Sequence, residues 1–222
     1  MMTDGVVGGQ MIYPITNDQW QENSETISQI NQWLTEVNKD SKNEVYISIH
    51  LGGYLVFGGN KTGLKALEEK LPVIQDRYPM NLFNHAAFHT PLLNDISIKA
   101  RSLLSTELFE PPKIPLIDGL GQIWQPYSCD TNKLYNYTLG TQVTDAYNFS
   151  KAIEVAIKEY APDKLIILGP GATLGGAVAQ CLIKHNWLGL QEKSDFIAKQ
   201  KADPFLLAMG IEEQRKRVIT SK

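Results

Sequence analysis

From Val45 to Leu51 the chain alternates Val, Ile and Ile with Tyr, Ser and His, the period of a half-buried strand. Gly52-Gly53 then turn it into a second apolar run, Tyr54 to Phe57. On either side of this hairpin the period becomes helical. Trp20, Ile27, Ile30, Trp33, Leu34 and Val37 fall on one face before it, and Leu64, Leu67 and Leu71 after it, with Asn60 placed to cap the second helix. A short β-rich run, residues 10–16, comes first, and an extended run follows Pro79. The order β-α-β-β-α-β over residues 1–83 predicts a ferredoxin-like unit.

Residues 84–222 follow a different pattern. Thr90-Pro91 reads as a helix start, a capping hydroxyl with proline in the first helical position. Leu92, Leu93, Ile96, Ala100, Leu103 and Leu104 would form its inner face until Pro111-Pro112 end the segment. Ile114 to Ile117 reads as a buried strand stopped by Asp118-Gly119, and Phe149 to Tyr160 as an amphipathic helix. Lys164-Leu-Ile-Ile-Leu168 is uninterruptedly apolar after its lysine, the mark of a parallel strand covered on both faces. Gly169-Pro170-Gly171 breaks it, and a helix rich in small residues is expected from Ala172 to about Lys184. The fold class expected is α/β. Two central strands are few for a parallel sheet, so the pattern predicts one part of a larger domain, with a segment before Met1 or a partner chain supplying the rest.

Composition narrows the function classes. The chain has 222 residues, 43% hydrophobic and 20% charged, enough for a packed core and too apolar for a disordered chain. A net charge of −3 argues against a general nucleic-acid binder. No apolar run approaches the ~18 residues of a membrane span. The first basic residue is Lys39, so no positively charged stretch opens a signal peptide, and a cytoplasmic protein is expected. Two cysteines, Cys129 and Cys181, make neither a disulfide framework nor a cysteine-rich metal site. No metal and no cofactor is expected: His50, His85, His89 and His185 have no metal-ligand spacing.

Two features could carry chemistry. Gly169 to Gly176, between a strand and a helix, fits the G-x-G-x-x-x-G spacing of some dinucleotide sites, but it has no Gly-Lys-Ser/Thr closure, and a tight strand-to-helix turn with close packing is the preferred reading. His89 stands directly before the Thr90-Pro91 helix start, a rigid junction suited to a functional imidazole or to a structural one. The chain contains no G-x-S-x-G sequence that would give it a nucleophile.

The segment Ala86-Ala-Phe-His-Thr-Pro-Leu-Leu93 resembles the G-A-F-H-[ST]-P-L-M segment of malonyl-CoA:acyl-carrier-protein transacylases and polyketide acyltransferase domains. Gly169-Pro-Gly-Ala-Thr-Leu-Gly-Gly176 is similar to their G-P-G-x-x-L-x-G segment, and Pro112 to Ile117 to the proline-bearing strand between the two. Motif order and spacing agree from about Gly8 to Gly176. The resemblance implies a hydrolase-like α/β domain with an inserted ferredoxin-like subdomain. It also implies transfer of a malonyl group from malonyl-CoA to the thiol of an acyl carrier protein in fatty acid or polyketide synthesis. In that chemistry a serine in a G-H-S-x-G elbow is the nucleophile and a histidine the base, which maps onto His89. A backbone carbonyl orients the histidine, and Tyr147-Asn148-Phe149 is the matching place, so Asn148 is the expected orienter. The position of Phe88 implies a substrate contact that favours malonyl over methylmalonyl groups.

Departures accompany the likeness. Met1-Met2 falls just after the place of the family's arginine-bearing helix, so the serine, that arginine and the first oxyanion loop would all lie upstream. Ala179-Gln180 stand where a basic pair is usual, and an Asn-rich strand motif is reduced to Ser48 and His50. The chain alone is therefore expected to be inactive. The alternative expectation is a non-catalytic relative that binds a carrier protein or partner subunit; a nucleotide site at the glycine loop is the third reading.

Overall fold

The computed structural model describes residues 7–219, so the Met1-Met2 pair lies outside the described residues. The chain builds β1 (Gly9–Pro14), α1 (Ser24–Val37), β2 (Val45–Leu51), β3 (Tyr54–Gly59), α2 (Lys61–Glu68) and β4 (Met80–Leu82). Their sheet runs β4-β1-β3-β2, every neighbouring pair antiparallel. Both helices open as the sequence requires: Asn23 and Asn60 accept backbone N–H groups of the first turn with their side-chain oxygens. The period-2 alternation then sorts the sheet's faces. Met11 and Tyr13 of β1 and Leu55 and Phe57 of β3 pack with Ile30 and Val37 of α1 and Leu64 and Leu67 of α2. Full burial of one such side chain stabilises by about 1.5–3 kcal/mol, which is set against the entropy of ordering the chain around it.

The second half supplies α3 (Asn94–Leu103), β5 (Leu116–Ile117), β6 (Ile123–Trp124), α4 (Thr131–Asn136), α5 (Gln142–Thr144), β7 (Tyr147–Asn148), α6 (Phe149–Tyr160), β8 (Leu165–Ile167), α7 (Leu174–Lys184), α8 (Lys193–Ala202), β9 (Leu206–Ala208) and α9 (Glu212–Ile219). A π-helical turn, Tyr137–Thr141, joins α4 to α5. β7 adds to the first sheet in parallel beside β2, so one sheet crosses the expected boundary at residue 83. A second apolar cluster gathers Ile157 of α6, Ile167 of β8, Val178 and Leu182 of α7, and Leu206 of β9. The two halves are tied at the β2–β3 hairpin: Gly52 N–H donates to Ser150 Oγ of α6 (2.8 Å) and Gly53 N–H to Gln180 Oε1 of α7 (2.8 Å).

The mixed α/β class expected from the sequence is observed, with differences inside the second half. The segment around Ile117 is no buried central strand. Among the described residues β5 pairs with β6 alone, in a small hairpin, and Ile114 is 69% exposed. The cause is local: Pro115 supplies no ladder donor, and buried Asp118 draws the turn onto itself by accepting from Leu120 N–H, Gln122 N–H and Trp124 Nε1–H (2.9 Å each). β8 pairs in parallel with β9 alone among the described residues, leaving Leu168 82% exposed rather than covered. The segment after Pro91 begins as a 3-10 turn (Pro91–Leu93) before α3, and the Thr90 hydroxyl donates back to the Ala87 carbonyl (2.7 Å) instead of capping a helix. Among the described residues no helix is long and apolar enough to cross a membrane.

Candidate functional site

His89 lies in a turn, not at the end of a strand, with φ 57°, the left-handed region that few residues other than glycine adopt. The sequence enforces the reversal. Pro91 holds Thr90 extended (φ −139°, ψ 158°), so the chain must turn one residue earlier, at His89. Thr90 is fully buried over Gly58 of β3. A Cβ at Gly58 would stand 2.7 Å from Thr90 Cγ2, so only glycine lets the turn rest directly on the sheet. A left-handed non-glycine residue costs about 1–3 kcal/mol and persists only where its surroundings over-determine it.

Those surroundings are the end of α5. The last carbonyls of a helix lack intrahelical partners. Here the Val143 carbonyl accepts His89 N–H (3.0 Å) and the Gln142 carbonyl accepts His89 Nδ1–H (2.5 Å). A carbonyl can only accept, so Nδ1 carries the hydrogen and Nε2 of the neutral ring keeps a free lone pair. The ring lies between Tyr147 (centroids 5.4 Å apart) and Phe88 (6.4 Å). Burial among these groups pushes the His89 pKa below its ordinary value, and the Gln142 carbonyl opposes that only in part. The imidazole is therefore neutral, and basic at Nε2, at neutral pH.

The orienting carbonyl is thus Gln142, which corrects the expectation for Asn148. The Asn148 side chain caps α6 by accepting Lys151 N–H (2.8 Å), its own N–H donates to the Gly119 carbonyl, and it pairs with His50 across β7 and β2. The neighbouring Tyr147 reaches His89 instead, through its ring. Phe88 does stand beside His89 and is 48% exposed. Its carbonyl points into the sheet, where Ser48 Oγ–H donates to it (2.7 Å).

The remaining candidates resolve into structural roles. Cys181 is buried against Ser150, and burial pushes its thiol up to about 11, leaving no thiolate at neutral pH. In the glycine loop, Gly171 has φ 75°, and a Cβ on Gly210 would lie 2.4 Å from the Gly171 carbonyl. The close backbone approach here is that of Gly210 to Gly171, which favours the packing reading at that point, whereas Gly176 has open space around it. No group of three or more His, Cys, Asp or Glu able to hold a metal occurs among the described residues. The sequence reading missed Gln142 and the Tyr147 ring contact, both on a stretch with no clear helical period, and the pairing of Gln10 with Ser48. An isolated polar residue opening an otherwise apolar run was the available signal for Gln10.

Burial is the first cause lowering the pKa of His50, His89 and His185 alike. Around and below the ordinary value near 6.5, which the histidines keep in the unfolded chain, the unfolded state binds more protons than the folded one. Stability must then fall as pH drops through that value toward the folded pKa values. Urea midpoints are expected to be lower at pH 5.5 than at pH 7.5, a window mostly above carboxylate titration; an equal or higher midpoint at the lower pH would contradict the burial of these rings.

No protein-family model matches the chain, and no curated protein matches it. Solved structures do. The acyl-carrier-protein S-malonyltransferase of Burkholderia pseudomallei superposes with TM-score 0.68 at 15% identity, over 97% of this chain and 59% of that one. The malonyl-CoA:acyl carrier protein transacylase of Xanthomonas oryzae gives 0.67 at 14% identity, over 98% and 58%. A malonyl-transacylase in complex with a type II polyketide acyl carrier protein gives 0.62 at 17% identity, over 80% and 52%. The chain has the fold of these proteins and spans little more than half their length.

Proposed function

We propose that this chain is the histidine-bearing part of a malonyl-type acyltransferase, with residues 1–83 a ferredoxin-like subdomain and residues 84–222 the C-terminal part of the α/β domain. The observation that carries the reading is His89: an imidazole whose Nδ1–H is committed to the Gln142 carbonyl, leaving Nε2 as base, in the fold of malonyl transacylases. The nucleophile is a serine from outside residues 1–222, on a preceding segment or a partner chain. Its Oγ–H gives the proton to Nε2 while Oγ bonds to the malonyl carbonyl carbon; the C–S bond breaks and the coenzyme A sulfur takes the proton from the imidazolium. A carrier-protein thiol reverses the sequence, losing its proton to Nε2 and returning the serine. Phe88 is the substrate-binding residue, its ring filling the space of an α-methyl branch. The reaction uses no cofactor, its partners are malonyl-CoA and an acyl carrier protein, and its place is the cytoplasm.

The test is intact-mass measurement after incubation with malonyl-CoA. The 222-residue chain is expected to gain no adduct. The product of the complete locus, or this chain with its serine-bearing partner, is expected to gain a malonyl group on serine. An adduct on Ser, Thr or Cys of the isolated chain would show that the nucleophile is misassigned. If no upstream or partner serine is ever acylated, the protein is a non-catalytic carrier-protein or partner-binding module. Competition with methylmalonyl-CoA checks Phe88: a preference for malonyl of roughly 10–200-fold, reduced by Phe88→Ser, is the expected result, and equal use of both donors removes its selective role.

A further inference from the structure

We infer that Gln10 and Ser48 are positioning residues for His89, acting through a buried relay that starts at His85; the inference rests on the reading of His89 as the base. The relay runs in one direction. His85 Nδ1 meets Gln10 Oε1 at 2.8 Å, Gln10 Nε2–H donates to Ser48 Oγ at 2.7 Å, and Ser48 Oγ–H donates to the Phe88 carbonyl at 2.7 Å. The amide oxygen of Gln10 only accepts, so His85 Nδ1 carries the hydrogen and every link has one donor and one acceptor. Ser48 is fully buried and Gln10 is 4% exposed, so neither side chain is held by water.

Backbone geometry places this relay deliberately. The β2–β3 register shifts between Ile47 and Ile49, which makes Ser48 the extra residue of a β-bulge. A bulge re-aims a side chain, and this one aims the Ser48 hydroxyl at the turn before His89. On β1, Gln10 lies opposite Gly58, whose missing side chain leaves room for the amide: a Cβ there would approach Ser48 Cβ to 3.2 Å and the Phe88 carbonyl to 3.4 Å.

The Phe88 carbonyl and the His89 N–H belong to one peptide plane. Ser48 holds the oxygen of that plane and the Val143 carbonyl holds its N–H, so the plane is clamped at both edges. Rotation about the next bond is the His89 φ, and with the plane fixed it is the 57° rotamer that carries Nδ1 to the Gln142 carbonyl. Removing the Ser48 hydroxyl leaves the Phe88 oxygen with Gln10 Nε2 alone, at 3.5 Å. The clamp then opens on one side and the strained conformation loses a support. Gln10 acts one step back, orienting the hydroxyl.

The test reads the imidazole of His89 in the 222-residue protein labelled with ¹⁵N-histidine, its signals identified by their loss in His89→Asn. In Ser48→Ala, exchange of the His89 Nδ1 hydrogen with water is expected to quicken about tenfold, the factor one hydrogen bond of ordinary net strength supplies. Its titration midpoint should shift at the same time, and Ser48→Thr, which keeps the hydroxyl, should restore both. Gln10→Met, matched in volume, should move them in the same direction by less. Unchanged exchange and midpoint in a folded Ser48→Ala would overturn the inference. If that variant does not fold, Gln10→Met decides by the same readings, and loss of folding in both would overturn it, since the relay would then hold the domain rather than the histidine. These readings involve no turnover, so a failure of the base assignment, seen as undiminished malonyl transfer without His89, is recorded separately.

Discussion

In the serine-bearing protein, His89→Asn is expected to lower kcat for malonyl transfer by about 10²–10⁴-fold, the range general-base catalysis supplies, with little change in KM. Asparagine is the informative replacement because it tolerates the left-handed backbone better than other side chains, so φ 57° can be kept while the imidazole is lost. The Val143 carbonyl still receives the backbone N–H of residue 89, and the thermal midpoint should move little. What disappears is Nε2, the ring nitrogen left as acceptor when Nδ1–H binds the Gln142 carbonyl. The ring's depressed pKa keeps it unprotonated at neutral pH, so the wild-type rate should fall only when the medium is acid enough to charge it. A kcat reduced by less than about tenfold would place the proton elsewhere and reduce His89 to a structural cap on the end of α5.

The parts of this site that sequence could deliver were those governed by local rules. Asn60 caps α2 as its position demands, the alternation of Val45 to Leu51 does build β2, and the helical period of Phe149 to Tyr160 matches α6. Thr90-Pro91 marked a real junction, although proline constrained its predecessor rather than opening a capped helix. What failed was decided by polar side chains and backbone acceptors that the apolar pattern does not record. The apolar run at Ile114 reads as a core strand by pattern alone, and Asp118, by collecting three donors, folds it into a hairpin instead. Asn148 was expected to offer its carbonyl to His89; its side chain caps α6, and His89 Nδ1 meets the Gln142 carbonyl instead. The Gln142 carbonyl is available because α5 ends two residues later, at Thr144, after a π turn that no periodicity announces, and such turns recur at functional sites. Backbone acceptors carry no residue signature, so this partner of His89 could not be read from side-chain identities.

The other large effect expected is on stability, and it falls at the tip of the β2–β3 hairpin. Gly52 has φ 62°, where any other residue is strained, and a Cβ there would stand 2.3 Å from the Ala177 carbonyl oxygen and 2.7 Å from Ala177 Cα. Both obstacles are backbone of α7, which cannot swing aside as a side chain can. Gly52→Ala must therefore push the hairpin off α7, and with it the bond from Gly52 N–H to Ser150 and the neighbouring one from Gly53 N–H to Gln180. Left-handed strain of about 1–2 kcal/mol and the loss of two hydrogen bonds at about 0.5–1.5 kcal/mol net each place the destabilisation near ~2–5 kcal/mol. Gly176→Ala is the matched control on the other side of the contact. It sits in the first turn of α7 with nothing within 4 Å of the added methyl, so it should stabilise by about 0.5–1 kcal/mol through helix propensity. Urea unfolding of both variants decides the point. Stabilities for Gly52→Ala and Gly176→Ala that agree to within about 0.5 kcal/mol would mean that the hairpin tip does not rest on α7.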